Sequence, residues 1–256
     1  MTVPRERMFN VPMIVLAIIA LIGLVHAVFV LLLTQQQATE FLLLFAFIPA
    51  RYDAGVLSDM SFAQGYGAAV WTFATYALIH ADLNHLFFNA LWLLAFGTPV
   101  ARRFGALRFV VFFIATAAAG AAVHLATHFG EGLPMVGASA AISGAMAAAM
   151  RFAFQRGGPL GALGSADEDA YRVPAAPLSA MLRDPRVLLF IVVWFGINIL
   201  TGVGTIAMPG FEQSVAWQAH IGGFLAGLFG FALFDPVRHS AANVGEDGGE
   251  SATSGH

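Results

Sequence analysis

Six long runs of apolar residues, separated by short polar or arginine-bearing segments, dominate this chain of 256 residues. A run of about 20 apolar residues is long enough to cross the hydrocarbon core of a bilayer as a helix. Lipid offers the backbone no hydrogen-bonding partner, so such a segment must satisfy its N–H and C=O groups internally. The predicted spans cover residues 11–33, 85–101, 107–128, 135–155, 187–207 and 215–234. The sequence therefore predicts an all-α, polytopic membrane helical bundle with six transmembrane helices.

The composition excludes several kinds of protein and of chemistry. The chain is 59% hydrophobic and 11% charged, which is far from the balance of a soluble domain. Its net charge of -3 is small, so nothing indicates a nucleic-acid partner. It has no Cys, which removes disulfides, thiolate catalysis and thiolate metal sites. All 12 basic residues are Arg, so a serine nucleophile would have to take its base from His, Asp or Glu.

The arginines mark one side of the predicted topology. Eleven of them fall on the side that holds both termini, and Arg51 alone falls on the other side. Positive residues accumulate in cytoplasmic loops, so both termini are expected in the cytoplasm. The fourth and sixth helices then start at the outer face. The eleven are Arg5, Arg7, Arg102, Arg103, Arg108, Arg151, Arg156, Arg172, Arg183, Arg186 and Arg238.

The segments around the spans complete the predicted organisation. Residues 11–235 form the six-span domain, between a cytoplasmic N-terminus at 1–10 and a polar, disordered cytoplasmic tail at 236–256. Residues 35–84 form an external, membrane-associated loop whose two apolar stretches are too short to span. Residues 157–185 form a cytoplasmic linker. If one of the two short stretches did span, every later loop would change sides.

Three groups of polar residues lie inside predicted spans, where such side chains are expensive and therefore mark functional sites. The second span opens with His85 and Asn89, which are four residues apart on one helical face. The fourth span carries Ser139 near its start, and the sixth carries His220. In the predicted orientation, all three groups lie near the outer ends of their helices and at one depth.

A serine and a histidine at one depth are the parts of a nucleophile and its general base. Ser139 lies at the predicted start of a helix, where the helix dipole and free backbone N–H groups favour a developing oxyanion. The side chains of Asn89 and His85 are further hydrogen-bond donors of the kind that an oxyanion needs. The residues therefore predict a catalytic pair of Ser139 and His220.

Small residues predict how the fourth and sixth helices approach each other. Ala219, Gly223 and Gly227 recur every four residues along the sixth helix, a pattern that lets membrane helices pack closely. Gly137, near the start of the fourth span, is predicted to be a further structural helix contact. A close approach of these two helices is what a direct hydrogen bond between the serine and the histidine requires.

At these residues the sequence resembles the rhomboid family of intramembrane serine proteases, over roughly residues 75–234. Three motifs carry the resemblance in order: His80-x4-His85-x3-Asn89, Gly137-x-Ser139 and Ala219-His220-x-x-Gly223. The resemblance implies a rhomboid-like fold and a serine endopeptidase that needs no cofactor and no metal.

The resemblance also implies the site and the surroundings of that endopeptidase. Ser139 and His220 would form a dyad without a third acid, and Asn89, His85 and the backbone of Ser139 would bind the oxyanion. The enzyme would cleave transmembrane segments of single-span membrane proteins near the outer face of a bacterial inner membrane. A lateral gate would lie between the second and fifth helices. Its bulky residues would be Phe88, Trp92, Phe190 and Trp194.

The sequence departs from the family pattern at three positions. Ala140 stands where the family commonly has glycine, and Ser143 stands where an aromatic residue often packs against the catalytic imidazole. Ala101 replaces an acidic residue near the end of the second span. Alanine is a strong helix former, so Ala140 is expected to be tolerated. Ser143 takes away an aromatic contact that would position His220.

Two other functions compete with proteolysis. A catalytically inactive rhomboid-like protein would bind membrane helices without cutting them, but such proteins usually lack the serine or the histidine. A small transporter would be expected to show repeat symmetry between its halves, which the sequence does not show. A zinc protease needs a His-Glu-x-x-His motif, which is absent.

Overall fold

The computed structural model of this chain describes residues 11–57, 65–161, 167–202 and 215–237. The predicted N-terminal segment 1–10 and the predicted tail from residue 238 onward lie outside these residues. The helices are α1 (Met13–Leu31), α2 (Gln35–Phe45), α3 (Ala54–Leu57), α4 (Gly65–Thr75), α5 (Leu83–Trp92), α6 (Thr98–Phe104), α7 (Ala106–Thr127), α8 (Ser139–Met150), α9 (Leu178–Met181), α10 (Pro185–Gly202) and α11 (Trp217–Phe234). Short 3₁₀ helices lie at Pro49–Tyr52, Tyr76–Leu78 and Glu168–Arg172.

Length and apolar composition identify the helices that can cross a bilayer. Within the described part of the chain, α1, α7, α10 and α11 meet both criteria. The π-helical segment Leu93–Gly97 joins α5 to α6, so the chain is helical throughout the region of the second predicted span. The fourth predicted span corresponds to α8. The prediction of an all-α, polytopic, rhomboid-like membrane bundle is confirmed.

Helix α8 is shorter than its predicted span of residues 135–155, because it has only 12 residues. Before it, Met135 pairs with Phe47 in an isolated antiparallel bridge. After Met150 the chain continues as turns. Every residue of α8 after the first is buried, and the helix packs against α7 and α11. Protein surrounds α8, so its length need not match the thickness of the bilayer.

Glycines bring α8 and α11 into backbone contact. A Cβ at Gly227 would lie 2.5 Å from the Cα of Gly144, and a Cβ at Gly223 would overlap the backbone of Ala140. Ala219, the third residue of the predicted pattern, is also buried, but its carbonyl oxygen faces α7. These contacts fix the distance between the helix that starts at Ser139 and the helix that carries His220.

A buried arginine ties three segments together at the C-terminal end of α8. The Nε and Nη2 groups of Arg103 donate to the two carboxylate oxygens of Asp235, each at 2.9 Å. Its Nη1 group donates at 2.8 Å to the carbonyl oxygens of Tyr171 and Val173. The guanidinium also lies 4.7 Å from the centre of the Phe152 ring. Arg103 therefore joins the end of α6, the segment between α8 and α9, and the end of α11.

Candidate active site

Ser139 and His220 are brought together by the first turns of two helices. Ser139 is the first residue of α8, and His220 lies in the first turn of α11. The Oγ of Ser139 is 2.6 Å from the Nε2 of His220, which is a short hydrogen bond. The pair has the geometry of a nucleophile and its general base.

The structure separates Ser139 from the second serine of α8. The hydroxyl of Ser143 donates to the carbonyl oxygen of Ser139 at 2.7 Å, which is the usual way for a serine to bond back inside a helix. The hydroxyl of Ser139 is directed at the imidazole instead. Of the two serines, Ser139 therefore has the arrangement of a nucleophile.

A third side chain, Asn198 of α10, completes the surroundings of the imidazole. Its Oδ1 is hydrogen-bonded to the Nδ1 of His220, and its Nδ2 donates to the carbonyl oxygen of Trp194 at 2.8 Å. Asn198 is buried. Asn198 is not among the residues predicted from the sequence, although a signal for it is present. Like Asn89, it is an amide inside an apolar span.

The residues of the second predicted span lie on α5, which Asp82 caps. The Oδ1 of Asp82 accepts from the backbone N–H of His85 at 2.8 Å, and this bond fixes the start of the helix. The Nδ2 of Asn89 donates to the carbonyl oxygen of His85 at 2.8 Å. The Oδ1 of Asn89 is buried and has no hydrogen-bond partner among the described atoms. The Nδ2 group carries two N–H bonds and the contact with His85 uses one of them, so one N–H remains for another acceptor.

Gly137 lies against the imidazole of His85 on α5. Its φ of +116° lies in the left-handed region, which favours glycine. A Cβ at this position would lie 2.6 Å from the Nε2 of His85. The absent side chain lets His85 of α5 lie against the segment that leads into α8. The role of Gly137 as a structural helix contact stays a prediction.

The alanine that departs from the family pattern is accommodated by a neighbouring glycine. A Cβ at Gly120 of α7 would lie 2.5 Å from the methyl carbon of Ala140. The methyl group therefore occupies the space next to Gly120, and Ala140 leaves the start of α8 helical and buried.

The start of α8 supplies backbone donors at the site. Its N-cap residue, Ala138, makes no side-chain cap, so N–H groups of the first turn have no partner within the helix. Such groups can hold a developing negative charge. In the described segments, no three His, Cys, Asp or Glu side chains are grouped so that they could hold a metal ion.

His80, the first histidine of the second-span motif, lies outside that span. Its imidazole is fully buried, and neither ring nitrogen has a hydrogen-bond partner among the described atoms. Burial lowers the pKa of His80 to about 3. Its ring centre is 5.0 Å from that of His85. His80 is therefore neutral and adds no charge beside His85.

One large cavity is lined by the predicted catalytic and oxyanion residues. It has a volume of about 1560 Å³ and lies between α5, α8, α10 and α11. The polar residues among its walls include Ser139, His220, Asn89, His85 and Asn198. A cavity of this size between helices can admit a segment of another chain.

The four aromatic residues predicted to form a gate also line this cavity. Trp92 of α5 stacks on Phe96 at 5.6 Å between ring centres, and Phe96 meets Phe190 of α10 edge-on at 5.6 Å. Trp194 stacks on Phe224 of α11 at 5.0 Å. Phe88 is partly exposed. Phe96, which the sequence analysis did not select, thus links the α5 and α10 sides of the cavity, and gating itself stays a prediction.

Residues 67–235 match the family described as Rhomboid domain. The match covers more than half of the chain, and the chain belongs to the rhomboid family. Members of this family are generally intramembrane serine proteases, and inactive relatives exist. The protein is an integral membrane protein. No curated protein sequence matches the chain at a significant level.

Proposed function

We propose that this protein is an intramembrane serine endopeptidase that cuts transmembrane segments of other membrane proteins. The observation that carries the proposal is the 2.6 Å hydrogen bond between the Oγ of Ser139 and the Nε2 of His220. The bond lies in a cavity between membrane helices. Serine and histidine held in this way form an activated nucleophile.

The proposed reaction proceeds in two stages. The Nε2 of His220 accepts the hydroxyl proton while the Oγ of Ser139 attacks the peptide carbonyl carbon. The protonated imidazole then gives that proton to the leaving nitrogen as the C–N bond breaks, which leaves an acyl ester on Ser139. In the second stage, His220 takes a proton from a water molecule as that water attacks the ester carbon. The bond between this carbon and the Oγ of Ser139 then breaks, the imidazolium returns the proton to Oγ, and the acid product leaves.

The oxyanion of each tetrahedral intermediate needs preorganised donors. The proposed donors are the backbone N–H of Ser139 and the side chains of Asn89 and His85. The free N–H of the Asn89 amide and the uncapped start of α8 support this assignment. All three residues line the cavity that contains the hydroxyl of Ser139.

The proposed substrates are single-span membrane proteins that enter from the bilayer between α5 and α10. This side of the cavity is lined by the aromatic residues Phe88, Trp92, Phe190 and Trp194. Of the four long helices, α10 has the smallest buried share, 11% of its residues. The proposed location is a bacterial inner membrane, with both termini in the cytoplasm and the site open to the outer face. The arginine distribution supports this orientation.

The test combines covalent labelling with cleavage. Purified protein in liposomes is treated with a fluorophosphonate probe, and in parallel with a single-span membrane substrate. Wild type and Ser143→Ala should label and cleave, whereas Ser139→Ala and His220→Ala should do neither. Ser143→Ala is the matched control, since it removes a hydroxyl from the same helix face. Labelling that is lost in Ser143→Ala but survives in Ser139→Ala contradicts the nucleophile assignment.

The same experiment distinguishes the competing functions. A folded wild-type protein that neither labels nor cleaves would be assigned to the inactive, helix-binding group or to the transporters. Binding of the uncut substrate would then favour the first of these.

A further inference from the structure

We propose that Asn198 is a positioning residue, which holds His220 in the tautomer and the ring orientation that activate Ser139. This inference rests on the proposed function. It adds a third member, from a third helix, to a pair of residues that the sequence alone describes as a dyad. Its basis is the hydrogen-bond chain from Trp194 through Asn198 and His220 to Ser139.

The first step concerns the orientation of the Asn198 amide. Nitrogen and oxygen of an amide are distinguished by their partners, because only the nitrogen can donate. The partner on one side is the carbonyl oxygen of Trp194, which can only accept, at 2.8 Å. The nitrogen must therefore face Trp194, and Oδ1 faces His220.

The second step follows from the acceptor character of that oxygen. Oδ1 has no proton to give, so the Nδ1 of His220 must be the donor of their hydrogen bond. A neutral imidazole carries one N–H, so its other nitrogen, Nε2, holds a lone pair. The hydroxyl of Ser139 then donates to Nε2. This tautomer is the one that a general base for Ser139 requires.

The third step concerns the rest of the reaction cycle. The hydrogen bond between Ser139 and His220 is consumed when Ser139 attacks and is absent while Ser139 carries an acyl group. The bond to Asn198 does not involve Ser139, so it can keep the ring oriented for the attack of water while Ser139 carries the acyl group. It also strengthens when the imidazole becomes positively charged, since hydrogen bonds of ionised groups are shorter and stronger.

Contacts of α10 hold the Asn198 amide in place beside His220. Asn198 lies one turn after Trp194, whose carbonyl oxygen it binds, and Trp194 stacks on Phe224 of α11. The stacking ties this part of α10 to the helix that carries His220. The amide is thus held at both ends, by its own helix and by the imidazole.

The competing interpretation is that Asn198 only joins α10 to α11. A purely structural bond would affect stability or substrate binding and would leave the chemical step alone. A positioning bond would affect kcat while KM stays nearly constant, and an acceptor oxygen restored at the same place would recover kcat.

The experiment compares three variants in liposomes. Asn198→Leu preserves the size of the side chain but removes the acceptor, and kcat should fall about 10- to 100-fold with KM changed less than about twofold. Fluorophosphonate labelling should slow by a similar factor. Asn198→Asp presents an oxygen to Nδ1 and should recover most of kcat. Thr201→Val is the control on α10, because the Thr201 hydroxyl bonds back to the carbonyl oxygen of Ile197, and it should behave like wild type.

A measurement without turnover gives a second readout. In ¹⁵N-histidine-labelled protein, the resonances that are lost in His220→Ala belong to His220. They should show a protonated Nδ1 in the wild type and a mixture of tautomers in Asn198→Leu. An unchanged kcat and an unchanged tautomer in Asn198→Leu overturn the inference, as does a loss of kcat that Asn198→Asp fails to recover. An unlabelled, inert wild type overturns the proposed function and this inference with it.

Discussion

At the scale of single residues, the candidate site is a group of polar side chains inside an apolar bundle. Ser139, His220, Asn89 and His85 are costly to bury in membrane spans, which makes them visible in the sequence, and they line one cavity. Asn198 meets the same criterion but was missed. Its importance depends on its contact with His220, and that contact depends on the rotation of α10 about its axis. A hydropathy pattern does not determine this rotation.

The oxyanion assignment predicts the effect of removing Asn89. Asn89→Ala should lower kcat roughly 10- to 1000-fold, the range observed when one preorganised donor is lost. The backbone of Ser139 and the side chain of His85 remain, so activity should be reduced rather than abolished. Initial cleavage rates in liposomes measure the change, with thermal unfolding as a check of folding. Full activity of a folded Asn89→Ala protein would remove Asn89 from the oxyanion site.

The role of His220 as general base predicts that activity is lost at low pH. The imidazole of His220 must be neutral to accept the proton of Ser139, so the active form is the deprotonated one. Activity is therefore present at neutral pH and lost as the pH falls through the range in which histidine titrates, about 6.5 for an unperturbed side chain. The rate of substrate cleavage across pH, with recovery after return to neutral pH, measures this. A rate that stays constant down to about pH 4 would argue against an imidazole base.

At the scale of helices, apolar length predicted the positions of the four long helices α1, α7, α10 and α11. It overestimated α8, which protein surrounds. Residues 135–155 are apolar for a different reason from α1 or α10: α8 packs in the interior and faces little lipid. Hydropathy alone does not show whether an apolar helix is surrounded by lipid or by other parts of the protein. The small residues of α11 did predict a close helix contact, but they did not reveal that Gly144 of α8 lies opposite Gly227.

This contact predicts a contrast between two glycines of α11. Gly227→Ala should destabilise the protein by about 1–3 kcal/mol or more, because its new methyl group meets the backbone of Gly144, which cannot move aside. Gly230→Ala is the matched control, since nothing lies within 4 Å of a Cβ there. Alanine also favours a helix over glycine, so the control should be neutral or slightly stabilising. Unfolding in detergent, followed by circular dichroism, measures both. Equal effects of the two substitutions would contradict the described packing.

At the scale of the whole molecule, the buried pair of Arg103 and Asp235 closes one end of the bundle. The sequence placed Arg103 in an arginine-rich loop and predicted the side of the membrane from it. It did not predict that this arginine is buried while the neighbouring Arg102 pairs with a largely exposed carboxylate, that of Glu168. The partner of Arg103 lies more than a hundred residues away, and only the fold brings the two together.

The two arginine pairs predict unequal contributions to stability. Asp235→Asn leaves the buried guanidinium without its countercharge and should cost about 3–5 kcal/mol. Glu168→Gln disrupts a pair in which Arg102 is largely buried but the carboxylate is 64% exposed. Water can replace that carboxylate, so the cost should be smaller, about 1 kcal/mol. The free energy of unfolding in detergent measures both. A Glu168→Gln protein that is as destabilised as Asp235→Asn would contradict the role of Arg103 as the tie between the three segments.

The residues around the imidazole lie on helices that are buried to different extents. Ser139 and His220 lie on α8 and α11, which touch backbone to backbone, whereas Asn198 lies on α10, most of which faces lipid. In the proposed enzyme, an outward swing of α10 would admit a substrate helix and withdraw the amide from His220 in one motion. The return of α10 would restore it. The hydrogen bond between Asn198 and His220 would then form only after α10 has returned. Ser139 would therefore be activated only when the cavity has closed around a bound substrate helix.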